Sequence, residues 1–284
     1  MNFGAPTTVE EAVAQMGSDG MTALAGGATL VAMMNADLVT PESLLSLRNI
    51  QALRQASREE DGNVRIGAMR RHRETAEETD FRDGQTVVRS AAAQIANPPV
   101  RNMGTIGGSC AFFDPAADYP TALLAADAHF DLISANGRRR VSASDFFVDW
   151  YETALEEGEL IETVCIPPAP SGSVGSYTKL ARVSGDFAIA AVGVVLAMDG
   201  GSCSHLAVSV GACGPVPVRL PEAEAKLIDS NLDKKDVANL AAALAESLDP
   251  VDDVRASAEY RRLVAPRMVV QAVASARQSA MAGS

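Results

Sequence analysis

Apolar positions fall into two regimes. Short apolar runs separated by turn residues fill the first 166 residues; longer strand and helix patterns follow a proline-rich break. Thr7 or Thr8 is placed to cap a helix whose first turn carries Glu10 and Glu11, which suit the positive end of a helix dipole. Met21–Ala25 predicts a short strand broken by Gly26-Gly27, Leu30–Met34 a short helix, and Leu44–Leu47 and Val64–Gly67 two more strands. The alanine-rich stretch Thr86–Ala96 predicts a helix that stops before Asn97-Pro98-Pro99, because a residue preceding proline avoids the helical region. From Asn97 to about Phe113 no period is visible, which predicts a long loop. Asp114-Pro115 then supplies a cap and a first-turn proline for a helix over Ala116–Ala126. Ala128–Ser134 and Arg140–Val141 flank Asn136-Gly137, a hairpin turn signal, and Leu160–Ile166 predicts another strand.

Pro167, Pro168, Pro170, Gly172 and Gly175 mark a boundary. Beyond it, Ser176–Arg182, Ala188–Met198 and His205–Cys213 predict three strands, with Asp199-Gly200-Gly201 as a turn. Helices are expected near Glu222–Ile228, Lys234–Glu246 and Ala258–Ala280. In the last, Tyr260, Val264, Met268 and Ala272 form an i, i+4 apolar stripe, and Pro266 removes one backbone hydrogen bond. The expected organisation is a first domain over 1–170, with subdomains of about 1–55 and 56–170, and a smaller α+β domain over 173–284.

Composition narrows the function. A net charge of −12 argues against nucleic acid, so any phosphate must be held locally by backbone N–H groups. No stretch approaches the roughly 20 apolar residues of a membrane span, and the N-terminus lacks a signal-peptide pattern; a cytoplasmic protein is expected. Cys110, Cys165, Cys203 and Cys213 form no CxxC pair, and His72, His129 and His205 are scattered, so no metal site is indicated.

Two glycine loops carry the candidate chemistry. Leu24-Ala25-Gly26-Gly27-Ala28-Thr29-Leu30-Val31 follows a predicted strand, and Thr105-Ile106-Gly107-Gly108-Ser109 lies in the long loop. Paired glycines permit positive φ and remove Cβ atoms that would block a close ligand, and successive N–H groups can converge on an anion. Neither loop matches GxGxxG or a P-loop, and an isolated Gly-Gly is commonly just a tight turn.

The combination is more specific. The two loops, the segment Asn97-Pro98-Pro99-Val100-Arg101-Asn102-Met103-Gly104 leading into the second, and Asp114-Pro115-Ala116-Ala117-Asp118 together resemble the medium flavoprotein subunits of the xanthine dehydrogenase and carbon monoxide dehydrogenase family. Ser144-Asp145-Phe146-Phe147, Glu157-Gly158-Glu159-Leu160-Ile161, Asp186-Phe187-Ala188-Ile189-Ala190 and Ser257–Arg262 extend the resemblance over nearly the whole chain. It implies an α+β fold: an FAD-binding domain of the vanillyl-alcohol-oxidase-like (PCMH-type) fold in two subdomains, then a C-terminal domain with a three-stranded sheet and helices. It also implies that the first loop wraps the FAD pyrophosphate, while Thr105–Ser109 touches the pyrophosphate and reaches the flavin ring. Asp118 would bind the adenosine ribose, Ile161 line the adenine pocket, and Lys179 lie near the flavin ring. The plain alternatives are a core residue for Ile161 and a solvated strand lysine for Lys179.

The implied protein is an electron-transfer subunit with no catalytic residue of its own. It works beside a large molybdopterin subunit and a small subunit with two [2Fe-2S] clusters, as a dimer of heterotrimers, and passes electrons to NAD, a quinone or another acceptor. One departure is Ser109-Cys110, where the family pattern has Asn and then an aliphatic residue or alanine. Met33-Met34 reads as core, and Arg138-Arg139-Arg140 as a solvated edge or a subunit contact. Trp150 and Tyr151 suit an interface, and Asp252-Asp253 a loop. Two other classes stay open: a free-standing flavin oxidoreductase of the same fold, disfavoured by few and scattered Tyr and His residues, and an assembly protein that has lost its flavin, disfavoured by the intact loops.

Overall fold

The computed structural model describes residues 2–18 and 20–282. The first layer is a parallel sheet: β1 (Asn2–Gly4), helix α1 (Val9–Met16), β2 (Met21–Leu24), helix α2 (Leu30–Asn35) and β3 (Ser43–Ser46), with β3 central. Thr8 caps α1 by accepting from the Glu11 N–H, and Glu11 returns by accepting from Thr7. This closes the first turn as the sequence predicts. Val9, Ala12 and Val13 bury against Leu45, Leu47 and Ile50. By contrast α2 buries none of its residues, so Met33 and Met34 are not the core pair the sequence suggests.

A five-stranded antiparallel sheet follows, in the order β4 (Ala56–Arg58), β5 (Val64–Gly67), β10 (Leu160–Ile166), β6 (His129–Ser134), β7 (Gly137–Ser142). Between β5 and β6 run α3 (His72–Ala76), α4 (Thr86–Gln94), α5 (Pro98–Arg101), α6 (Ile106–Phe112) and α7 (Asp118–Ala125). Helix α8 (Ala143–Phe146) and a small hairpin, β8 (Phe147–Asp149) and β9 (Glu152–Thr153), fill the gap before β10. The expected loop over 97–113 is therefore two short helices. Asn97 caps α5, with prolines at its first positions, and Thr105 caps α6. The helix expected from Asp114 begins only at Asp118. Asp114 instead turns the chain, its Oδ1 accepting from Ala116 N at 2.9 Å and its carbonyl from Ala117 N at 2.8 Å.

After the proline-rich break come β11 (Val174–Leu180), β12 (Ala190–Asp199), β13 (Ser202–Gly211) and the short β14 (Val218–Arg219), so the expected three-stranded sheet has four strands. Helices α9 (Pro221–Ala225), α10 (Lys234–Glu246) and α11 (Ala258–Ala282) complete the chain. β12 is buried on both faces. Ala190, Val192, Val194 and Leu196 pack toward α10 and α11, whereas Ala191 and Val195 join the main core beneath α4 and α7. That core also holds Val64, Ile66, Phe130 and Val164 of the five-stranded sheet. The layer of α4 and α7 is thus shared by both sheets. Gly193 makes room for it, since a Cβ there would lie 3.1 Å from the Ala125 Cβ.

The apolar stripe of α11 is one position off the expected one. Arg261, Ala265, Val269, Ala272, Val273 and Ala276 are buried, Tyr260 is exposed, and Val264 and Met268 lie at the margin. Arg261 enters the stripe because each of its three guanidinium nitrogens has an acceptor: it donates to the carbonyls of Ile189 and Val251 and to Asp253.

Candidate functional site

The segment from Ala68 to His72 is the template for the second glycine loop. Gly107 N donates to Ala68 O (2.9 Å), Ile106 N to Arg70 O (3.0 Å), and His72 N to Gly104 O (3.0 Å). Gly107 is required by this approach, because a Cβ there would overlap Ala68. Thr105 Oγ1 accepts from Gly108 N at 3.1 Å, and Ser109 N donates to Thr105 O. The second loop therefore spends most of its own N–H groups on the protein.

The first loop does the opposite. Val31 N donates to Gly27 O, but among the described residues nothing accepts from the N–H groups of Gly26, Gly27, Ala28, Thr29 or Leu30. Gly27 has φ +76°, which an L side chain rarely adopts, and it turns the chain so that these donors follow one another. Unpaired N–H groups in succession are the kind of donors an anion would need in a chain of net charge −12.

The two loops are locked together. A Cβ on Gly26 would overlap the carbonyl of Met103, and one on Gly108 would meet the Ala25 Cβ at 3.1 Å. A side chain on Gly26 or Gly107 would collide with neighbouring backbone, so both positions need glycine for the fold alone.

Asp118 and Lys179 form a second centre. Their side chains are 6% and 4% exposed and stand 3.0 Å apart. Tyr177 donates its hydroxyl to Asp118 at 2.7 Å, and Lys179 donates to Gln94 O at 2.8 Å. Burial pushes the Asp118 carboxyl up, and the Lys179 charge and the Tyr177 hydroxyl pull it back. Lys179 is thus not the solvated lysine of the plain reading. Ile161, 5% exposed, belongs to the main core together with Ile106 of the second loop.

Cys110 explains the departure after Ser109. It points from α6 into the main core, fully buried, while Ser109 is half-buried on the other side. Burial raises its thiol far above the ordinary range and pushes Cys203 and Cys213 up to about 11 and about 12. All four cysteines are free and buried. We expect no rapid reaction with a thiol reagent in the folded chain and release of four thiols on unfolding. A fast-reacting thiol in the native state contradicts this packing.

A cleft of about 480 Å³ lies away from the loops, on the outer face of the five-stranded sheet. Arg138 is paired there with Glu162, and Arg140 and Arg65 with Asp131, so the arginine run is a set of ion pairs. Trp150 and Tyr151 form the exposed tip of the β8–β9 hairpin, with Tyr151 edge-on to Phe112. Asp253 is held by Arg255 and Arg261.

His72, Tyr119, Tyr177 and Gln94 escape sequence reasoning. Tyr177 had a signal, since it lies two residues before Lys179 and so on the same strand face. His72 had none, because its contacts lie far along the chain.

Free N–H donors on a glycine turn, braced by a second glycine loop and followed by a buried carboxylate, are compatible with the α+β flavoprotein class that the resemblance implies. The chain belongs to the FAD-binding medium subunits of the molybdenum hydroxylase family. Residues 1–169 match the FAD binding domain in molybdopterin dehydrogenase, and residues 175–276 match the CO dehydrogenase flavoprotein C-terminal domain. The chain is 36% identical over 276 residues to the carbon monoxide dehydrogenase medium chain of Hydrogenophaga pseudoflava, covering 96% of each. It is also 36% identical over 261 residues to subunit alpha of the 6-hydroxypseudooxynicotine dehydrogenase complex of Paenarthrobacter nicotinovorans, covering 92% of this chain and 88% of the relative. Its structure is similar to a chain of the carbon monoxide dehydrogenase from Hydrogenophaga pseudoflava, with a TM-score of 0.94 at 36% identity and 98% of each chain covered. It is accordingly an oxidoreductase subunit with FAD as its cofactor. No helix among the described residues is long and apolar enough to cross a membrane.

Proposed function

We propose that this chain is the electron-relay subunit of its complex, receiving electrons from iron–sulfur clusters of a small partner and passing them through FAD to an external acceptor. When bound, the flavin supplies the redox chemistry. The chain's own residues bind and orient it. The observation that carries this reading is the row of unpaired N–H groups from Gly26 to Leu30, which suits a pyrophosphate in an acidic protein. Leu24, Ala25 and Val31 shape the turn around that row. Thr105, Ile106, Gly107, Gly108 and Ser109 hold it in place and offer the Ser109 hydroxyl. Asp118 would bind the ribose, Lys179, paired with that carboxylate, would lie near the flavin ring, and Ile161, in the core behind the second loop, would line the adenine pocket. The chain divides functionally into an FAD-binding part, 1–170, and a C-terminal part, 173–284.

Substrate oxidation is assigned to a large molybdopterin subunit. Relatives at the same 36% identity belong to a carbon monoxide dehydrogenase and to a 6-hydroxypseudooxynicotine dehydrogenase complex, which supports a medium subunit that does not select substrate. The working unit is proposed as a cytoplasmic dimer of heterotrimers; four unpaired thiols suit a reducing compartment. The test is the visible spectrum of protein drawn from its native host by a tag on this chain. Flavin bands over a broad iron–sulfur background are expected. Flavin bands alone in an intact assembly would defeat the relay, and partners without flavin would defeat the flavin assignment.

A further inference from the structure

We propose that His72 is a positioning residue for the flavin site: its imidazole bridges the second glycine loop to Tyr119, and so fixes the loop relative to Asp118. This rests on the flavin reading above. His72 opens α3 and is 5% exposed. Its backbone N–H holds Gly104 O, and its ring lies so close to Gly104 that a Cβ on that glycine would overlap Nε2 and come within 2.7 Å of Cδ2. On its other side Nδ1 is 3.2 Å from the Tyr119 hydroxyl, with the rings 5.4 Å apart and tilted by 52°. Tyr119 is wholly buried and adjoins Asp118 in the first turn of α7. Gly104 in turn lies against Gly26. One side chain therefore ties three parts of the site: the N–H cradle through Gly104, the second loop itself, and the helix that presents Asp118.

The physical reason for a histidine is that it fills this gap as a flat neutral ring. Burial, reinforced by the charge of Arg101, holds it at about 4, so it carries no charge in the dry gap. A neutral imidazole both packs against a glycine backbone and forms one directed hydrogen bond; an aliphatic residue would only pack. Loss of the bond frees the loop to drift, and drift of even an ångström is costly to a bound ligand.

The experiment compares the parent with His72→Ala, Tyr119→Phe, their double variant and His72→Asn, each purified from the native host with any attached subunits. Flavin dissociation is followed by the rise of free-FAD fluorescence on dilution, and the melting midpoint of each flavin-free form is measured alongside. We expect His72→Ala and Tyr119→Phe each to weaken FAD binding by about tenfold, and the double variant to be little worse than either, because both remove one shared bond. His72→Asn, whose amide reaches the Nδ1 position, is expected to restore binding to within about twofold of the parent. Tyr119→Phe keeps the ring and the core, so its effect on flavin does not depend on the fold surviving His72→Ala. Unchanged FAD affinity in Tyr119→Phe and His72→Ala, with only the melting midpoint lowered, would reduce His72 to a core residue and overturn the proposal. A parent that binds no FAD overturns the flavin reading, and the positioning role with it.

Discussion

Valine in place of Gly26 is expected to strip the chain of flavin while most of the fold survives. Any Cβ at this position would overlap the Met103 carbonyl, and Met103 belongs to backbone that cannot swing aside like a side chain. The two glycine loops must part. Overpacking of this kind costs about 1–3 kcal/mol of stability. The larger loss falls on binding. A hydrogen bond to a charged group contributes about 1.5–3 kcal/mol, so misplacing two of the Gly26–Leu30 donors weakens binding by about a hundredfold or more. Retained flavin per chain after desalting should fall below about a tenth of the parent's. The melting midpoint of the flavin-free form should drop only modestly. Full flavin content would show that the loops are not joined at Gly26.

Methionine in place of Lys179 should have the largest effect on stability. The change leaves the Asp118 carboxylate buried with only the Tyr177 hydroxyl, and breaking a buried pair from one side costs about 3–5 kcal/mol. For a chain of this length that lowers the melting midpoint by about 10 °C. The double variant Lys179→Met, Asp118→Asn should recover most of the loss, because no uncompensated charge remains. The pH dependence follows from the same geometry. Without Lys179, burial is opposed only by the Tyr177 hydroxyl and raises the Asp118 carboxyl further, so the folded variant takes up a proton more readily than the unfolded chain. A group raised in the folded state contributes stability at low pH and loses it as pH climbs through its folded value. The single variant's deficit should therefore narrow on acidification. Equal melting of single and double variants would show that the pair is not a charged one.

Much of the architecture was legible in the sequence, for local reasons. The α1 cap, the strands around Val64–Gly67 and Leu160–Ile166, and the long helices α10 and α11 follow from capping residues and apolar spacing. The misreadings also have physical causes. Asp114-Pro115 has the form of a helix start, but Asp114 spends its side chain on Ala116, and the helix waits until Asp118. Residues 97–113 have no apolar period because α5 and α6 are too short for one. The α11 stripe was displaced by one because a buried arginine, satisfied by two carbonyls and a carboxylate, does not look like a core residue. In the candidate site, the sequence singles out Gly26, Gly27 and Asp118 by their order and type. The division of labour between the loops was not legible, since which N–H groups are free depends on the pairing of Gly104–Gly107 with Ala68–His72, some 35 residues away.

The layer of α4 and α7 gives the chain a further property. Ala91, Ala122 and Ala125 pack in one core with Ile66 and Phe130 on one side and Ala191, Val195 and Ala207 on the other. Two regions that match separate family models are thus one cooperative body in energetic terms. Asp118 and Lys179 join the two regions by a buried ion pair. This restricts modular exchange: a C-terminal region borrowed from a distant relative would have to bring a sheet face that fits both α4 and α7.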